Sequence, residues 1–347
     1  MELAAAQELW EPESIYLNTA SYGLPPRSAF DELTSVLADW RVGRTSWEPW
    51  GEAAEASRAS FARLAGVSPS DVTIGATVSN FVGLIASSLP DGARVVAPNV
   101  EFTSNLFPYF THAERGVTVE TVPAARLADA VDASTTAVAF STVQSSTGEV
   151  ADFDAIASAA DDHGAMTIVD ATQSCGWLPL DATRFDFVVV HTYKWLMSPR
   201  GAAFLYVNPD RREDLSPLAA GWYAGEDVHA SYYGPPLRLA DSARRFDVSP
   251  AWFSWVGARP ALQLVEDIGV DAINEHNVGL ANRFCSALGI EPSNSAIVSV
   301  EVNGDMGSLE RAGILAASRA GNLRVSFHLY NDTSDVDALL NALEEAR

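Results

Sequence analysis

At 347 residues with 48% hydrophobic side chains, the chain is long enough to bury one large core and a smaller lobe. Its net charge of −23, with only 22 basic residues, argues against nucleic acid or an anionic membrane surface as a partner and fits an acidic, soluble exterior. No apolar run of about 18 residues predicts a membrane span, no basic-then-apolar leader opens the chain, and two cysteines make no disulfide framework, so a reducing cytoplasm is expected.

Residues 1–13 read as a short amphipathic helix, followed by a loop, Y-L-N-T-A-S-Y-G at 16–23, that runs into Pro25 and Pro26. Residues 28–40 and 51–65 have helical period. Between them Trp40, Trp47 and Trp50 cluster around Arg41 and Arg44, where core packing outweighs an interface or a pocket wall. A short strand at 72–74 precedes Gly75, Ala76, Thr77 and Ser79 and then an apolar helix. That order suits a phosphate cradle, although Thr and Ser are also ordinary helix caps. Further strands are expected at 94–97, 117–122 and 137–140, with helix at 152–163. Strands alternating with helices predict an α/β fold with a mostly parallel sheet.

Apolar runs at 166–169, 185–190 and 202–207 read as buried strands. Asp170 closes the first; His191, Tyr193 and Lys194 follow the second. Ligands bind beyond the carboxyl ends of such strands. A lysine desolvated beside Tyr193 and Trp195 becomes a nucleophilic amine, fit for a Schiff base with an aldehyde cofactor. A carboxylate one strand away could keep a pyridinium nitrogen protonated, as pyridoxal phosphate requires. The spacing alone equally allows a snorkelling lysine and a capping aspartate. Residues 221–255 form a long irregular stretch rich in Gly, Pro, Tyr and Trp, which favours a functional or interface segment. Helices are expected at 257–268 and 272–288, a strand at 296–302, a short helix at 311–319, a strand around Arg324 and a closing helix at 335–345.

D-A-T-Q at 170–173, H-T-Y-K-W-L at 191–196 and P-x-G at 199–201 together resemble the class V aminotransferase family, which includes cysteine desulfurases, isopenicillin N epimerase-like proteins and kynureninases. The resemblance extends to the 16–23 loop, to E-F-T-S-N-L-F-P-Y at 101–109, to R-F-D at 245–247 and to L-R-V-S-F-H-L-Y-N at 323–331. It implies PLP fold type I: a seven-stranded sheet in a large domain at 25–250, and a small α+β domain from 1–24 and 251–347. It implies pyridoxal 5′-phosphate held by Lys194, with Asp170 on the pyridine nitrogen, Gln173 and Gln144 near the ring oxygen, and Phe102 over the ring. His191, Tyr193, Ala76 and Thr77 would meet the phosphate, and Ser249 the phosphate of a neighbouring subunit, making the active unit a homodimer. Arg324 would take the carboxylate of a small amino-acid substrate with its bidentate fork. The backbone around Asn18 and Ala20 would approach that substrate. Pocket walls are expected from Tyr22, Trp47, Trp50, Tyr223 and Trp252.

The chain departs from cysteine desulfurases at two points. Phe102 stands where they carry a proton-handling histidine, and residues 303–322 contain no cysteine. The expectation is therefore lyase, epimerase or aminotransferase chemistry at the α-carbon without a persulfide. The alternatives are a desulfurase-like or C–S lyase enzyme, and a catalytically silent PLP-fold regulator or scaffold.

Overall fold

The computed structural model describes residues 1–302 and 307–345. Seven strands form the central sheet: β1 (Val72–Gly75), β2 (Arg94–Pro98), β3 (Thr118–Val122), β4 (Ala137–Ser141), β5 (Met166–Asp170), β6 (Phe187–His191) and β7 (Ala203–Val207). Their spatial order is β1-β7-β6-β5-β4-β2-β3. Only β7 runs against its neighbours; it pairs antiparallel with both β6 and β1. The inner strands are continuous apolar runs because helices cover both faces of the sheet, and β1, β4, β6 and β7 are buried along their whole length. β3 sits at the edge and shows solvent-facing positions, as its T-V-E-T-V sequence requires.

Because β7 reverses, the chain between β6 and β7 is a hairpin rather than a helical crossover, and it lies at the carboxyl edge of β6. That hairpin carries Tyr193, Lys194 and Trp195. The ends of β1, β2, β4 and β5 open on the same edge, since those strands run the same way as β6.

A second, smaller core gathers Leu17, Phe284, Val325, Phe327 and Leu339. It is built on three antiparallel strands, β8 (Ile297–Val300), β9 (Ala317–Arg319) and β10 (Asn322–Ser326), with β10 in the middle. The N-terminal segment is laced into this unit: Ile15 and Tyr16 pair with Ile314 and Leu315, and the Ser326 amide donates to the Leu17 carbonyl at 2.9 Å. The helix Trp252–Ile268 instead packs on the helices Glu48–Leu64 and Arg27–Arg41 and shares the large core through Trp255 and Leu262.

Three expectations need correction. The opening helix spans only Leu3–Gln7, not residues 1–13. Residues 311–319 are not a helix: a short helix ends at Arg311, and Ala317–Arg319 is a strand. The alanines favour helix, but Ala320 (φ 50°) and Gly321 (φ 85°) form a left-handed turn that folds β9 back onto β10. The tryptophans Trp40, Trp47 and Trp50 are not core. Trp40 is 55% exposed, and the three pack on Phe253, Trp222 and Trp252 in a surface aromatic cluster. Among the described residues, no helix is long and apolar enough to cross a membrane.

Candidate active site

The strand ends meet around a cleft of about 210 Å³ walled by Thr77, Phe102, Asp170, Gln173, His191 and Lys194, among others. A larger cavity of about 360 Å³ lies beside it, along Ala76, Phe81, Leu84 and Leu218, but no titratable side chain reaches it. The smaller cleft is where the chemistry can occur.

Lys194 is 5% exposed, and its Nζ lies 5.4 Å from the centre of the Phe102 ring and 5.6 Å from that of Tyr193. Burial among these rings pulls its amine down to about 8, against the opposing pull of Asp170. Asp170, on the last residue of β5, is equally enclosed. Burial pushes its carboxyl up, while the Thr172 amide, donating at 2.9 Å, and the Lys194 charge hold it down. Phe102 is 47% exposed, so it serves the cleft rather than the core.

Another part of the cleft wall is made from the start of the helix Val78–Ser88, whose cap is Thr77; the Thr77 hydroxyl accepts from the Asn80 amide at 3.3 Å. His191 packs edge-on against Tyr193 with ring centres 4.4 Å apart. Its Nε2 is buried and has no hydrogen-bond partner. Burial drives the imidazole down to about 3, helped by the charges of Arg200 and Lys194, so the ring is neutral. Arg200 completes this wall, its guanidinium carbon 5.0 Å from the centre of the Tyr193 ring.

Arg324 sits in β10 and is 1% exposed. Its Nη1 donates to the Ser145 carbonyl at 2.6 Å and to the Ser145 hydroxyl at 3.2 Å; its Nη2 donates to the Ser21 hydroxyl at 2.6 Å. Its Nε is buried without a partner. No ion pair among the described residues includes Arg324. Burial, with Arg319 close by, lowers its guanidinium to about 10. A buried cation without a carboxylate is costly unless an anion joins it.

The other expected residues lie as follows. The Gln173 amide donates to the Ala20 carbonyl and the Ser145 hydroxyl, both at 3.0 Å, and its oxygen accepts from the Trp195 indole at 2.9 Å. Gln173 thus ties the N-terminal segment to the lysine hairpin. Ala20 is buried and donates its amide to the Ser326 hydroxyl at 3.0 Å. Asn18 bridges to Ser326 and keeps a buried, unpartnered Oδ1. Gln144 turns away from the lysine and donates to Glu101 at 3.1 Å. Ala76 faces the larger apolar cavity. Ser249 is exposed and does not line the cleft of its own chain. Of the expected walls, Tyr22 packs tilted against Tyr193 with ring centres 5.2 Å apart. Trp47, Trp222, Tyr223 and Trp252 form the separate aromatic cluster instead, and none of them, nor Trp50, lines the cleft.

Sequence reasoning missed Ser21, Ser145, Thr172 and Arg200. Ser21 and Thr172 lie inside the quoted 16–23 and 170–173 motifs without being singled out, and Ser145 lies on a third segment with no spacing signal. Arg200 stood inside the P-x-G motif, where a charge in an apolar hairpin was the available clue.

These residues fit pyridoxal phosphate. A desolvated lysine amine suits its aldehyde, a buried carboxylate suits its ring nitrogen, and an unpartnered imidazole nitrogen beside a helix start suits its phosphate.

The family model described as aminotransferase class-V matches residues 42–301. A probable cysteine desulfurase of Methanothermobacter thermautotrophicus is 27% identical, covering 96% of this chain and 94% of the relative. The isopenicillin N epimerase of Streptomyces clavuligerus is 27% identical, covering 99% and 97%. Among solved structures, the cystine C–S lyase C-DES in complex with its reaction product cysteine persulfide superposes with a TM-score of 0.87 at 22% identity, covering 96% of this chain and 98% of that one.

Proposed function

The chain belongs to the class V aminotransferase family of pyridoxal 5′-phosphate enzymes, and we propose that it acts on a small α-amino acid, with Arg324 holding the α-carboxylate and Lys194 moving the α-proton. The observation that carries this reading is the buried Arg324 guanidinium, which Ser21 and Ser145 orient and which no carboxylate among the described residues neutralises. An α-carboxylate is the planar anion its fork matches.

Lys194 would hold the cofactor by its aldehyde, Asp170 by its ring nitrogen, and Thr77 and His191 by its phosphate. When bound, the cofactor supplies an electron sink for the pair left at the α-carbon. Asp170 keeps that sink effective by holding a proton on the ring nitrogen. Lys194, its amine drawn toward neutrality by burial, is suited to take the α-proton once substrate has displaced it. Phe102 lies over the lysine amine but carries no proton.

The reading excludes a persulfide. Cys175 is 2% exposed, and burial pushes its thiol up to about 12. Cys285 is equally buried, inside the helix Val270–Ala287. Neither resembles a thiolate nucleophile, which needs exposure and a lowered pKa. The active unit in this reading is a homodimer in which the exposed Ser249 serves the partner's cofactor, and two buried free thiols suit a reducing cytoplasm.

The test is a screen of amino acids against the holoenzyme, following the cofactor's absorption and the products. A substrate should shift the band and yield a keto acid, an inverted amino acid or an elimination product. If no α-amino acid perturbs the band at millimolar concentration, the reading fails.

A further inference from the structure

We propose that Arg200 is a cofactor-binding residue whose guanidinium supplies the positive charge that holds the cofactor phosphate. The inference rests on the cofactor assignment above and adds to it a residue from the hairpin. A bound phosphate monoester carries about −1.5 to −2 charge near neutrality. Three groups lining the cleft can meet it: the Thr77 cap, the start of the helix Val78–Ser88, and the unpartnered Nε2 of His191. None brings a fixed positive charge: a helix terminus is worth about half a charge, and burial lowers the imidazole's hold on its proton. Lys194 is committed to the aldehyde.

Arg200 is the remaining cation lining the cleft. Its guanidinium lies against the Tyr193 ring, on which His191 also packs. It enters no ion pair among the described residues, although this acidic chain pairs most of its arginines. Its placement is set by the backbone: the Arg200 amide donates to the Tyr22 hydroxyl at 3.3 Å, and its carbonyl accepts from the Ser254 hydroxyl at 2.8 Å. The side chain can therefore be exchanged without dismantling the loop.

The experiment compares pyridoxal phosphate with pyridoxal, which has the same aldehyde and ring but no phosphate. Full-length protein stripped of cofactor is titrated with each, following absorbance. The chain contains a single lysine, so the Schiff-base signal reports Lys194, the α-amine being the only other candidate. Arg200→Gln should weaken pyridoxal phosphate about 10- to 100-fold, the worth of a hydrogen bond to a charged group, and leave pyridoxal within about twofold. Arg200→Lys should recover part of the loss. Inorganic phosphate should compete with pyridoxal phosphate in the wild type and much less in Arg200→Gln. Wild-type affinity in Arg200→Gln, or equal loss of both aldehydes, overturns the proposal. If the wild type forms no adduct with either aldehyde, the cofactor assignment falls first and Arg200's role with it.

Discussion

A β-carbon at Gly23 would stand 1.9 Å from the carbonyl oxygen of Lys194. The N-terminal segment therefore crosses the lysine hairpin backbone against backbone, and the Gly23 amide donates to the Tyr193 carbonyl at 2.9 Å. No side chain fits there unless one of the two segments moves. Gly23→Ala should displace the hairpin, at a cost of about 1–3 kcal/mol in overpacking, and weaken cofactor binding at least about tenfold. Equilibrium titration with pyridoxal phosphate and thermal unfolding would check both effects. An unchanged titration would mean that the segments slide past each other freely.

Arg324→Lys keeps a positive charge but loses the fork that Ser21 and Ser145 orient. Half-saturation by the amino-acid substrate should rise about 10- to 100-fold, while cofactor affinity stays within about twofold. Equal affinity for substrate in the variant and the wild type would remove Arg324 from the carboxylate role.

The Lys194 amine, drawn down to about 8, is neutral above that pH and protonated below it. Attachment of an aldehyde needs the neutral form. The rate at which cofactor-free protein captures pyridoxal should therefore climb through a midpoint near 8, well below that of an ordinary lysine. Asp170 opposes this drop by favouring the charged amine. Asp170→Asn should consequently move the midpoint lower still. A midpoint that stays put or rises in this variant would show that the two groups do not interact.

Cys175→Ser/Cys285→Ser removes both thiols of the chain. Because both are buried and unpaired, the double variant should lose some stability, about 1–3 kcal/mol for each buried hydroxyl left without a partner, yet turn over its substrate within about threefold of the wild type. Loss of essentially all turnover in a folded, cofactor-loaded variant would restore a catalytic thiol.

Much of this arrangement can be read from local pattern. β5, β6 and β7 are short, mostly apolar and followed or closed by polar residues, so their ends and the chemistry beyond them stand out. The hairpin formed by β9 and β10 does not, because an alanine-rich stretch carries a helix signal and only the Ala320–Gly321 turn contradicts it. The tryptophans near residue 47 misled because aromatic character reports apolar area and not whether a neighbour covers it. Ser21 and Ser145 were invisible for another reason. They matter through Arg324, with which they share no sequence neighbourhood, and a serine has no periodicity to betray its partner. Gln173 was found, but its contacts are those of a brace among Ala20, Ser145 and Trp195.

The reversed strand β7 determines how the lysine is held at the cleft. A parallel β7 would have required a crossover of a dozen or more residues after β6, leaving the lysine at the root of a long excursion. The return stroke instead brings residues 192–202 back beside β6, and His191 and Ala203 at its two ends are themselves partners in the ladder. The amine is therefore carried between two buried strands. The Arg324 side has its own anchor, the middle strand β10 of the three-stranded sheet. Arg324 and Ser21 arrive on the separate unit built on β10, fastened to the hairpin by the contacts of residues 20–23 and by the His328 ring, whose Nε2 lies 3.0 Å from the Trp195 carbonyl. The lysine is thus held by two strands of one core, while Arg324 comes to the same cleft from another, so the spacing between the two groups depends on the contacts that cross from core to core.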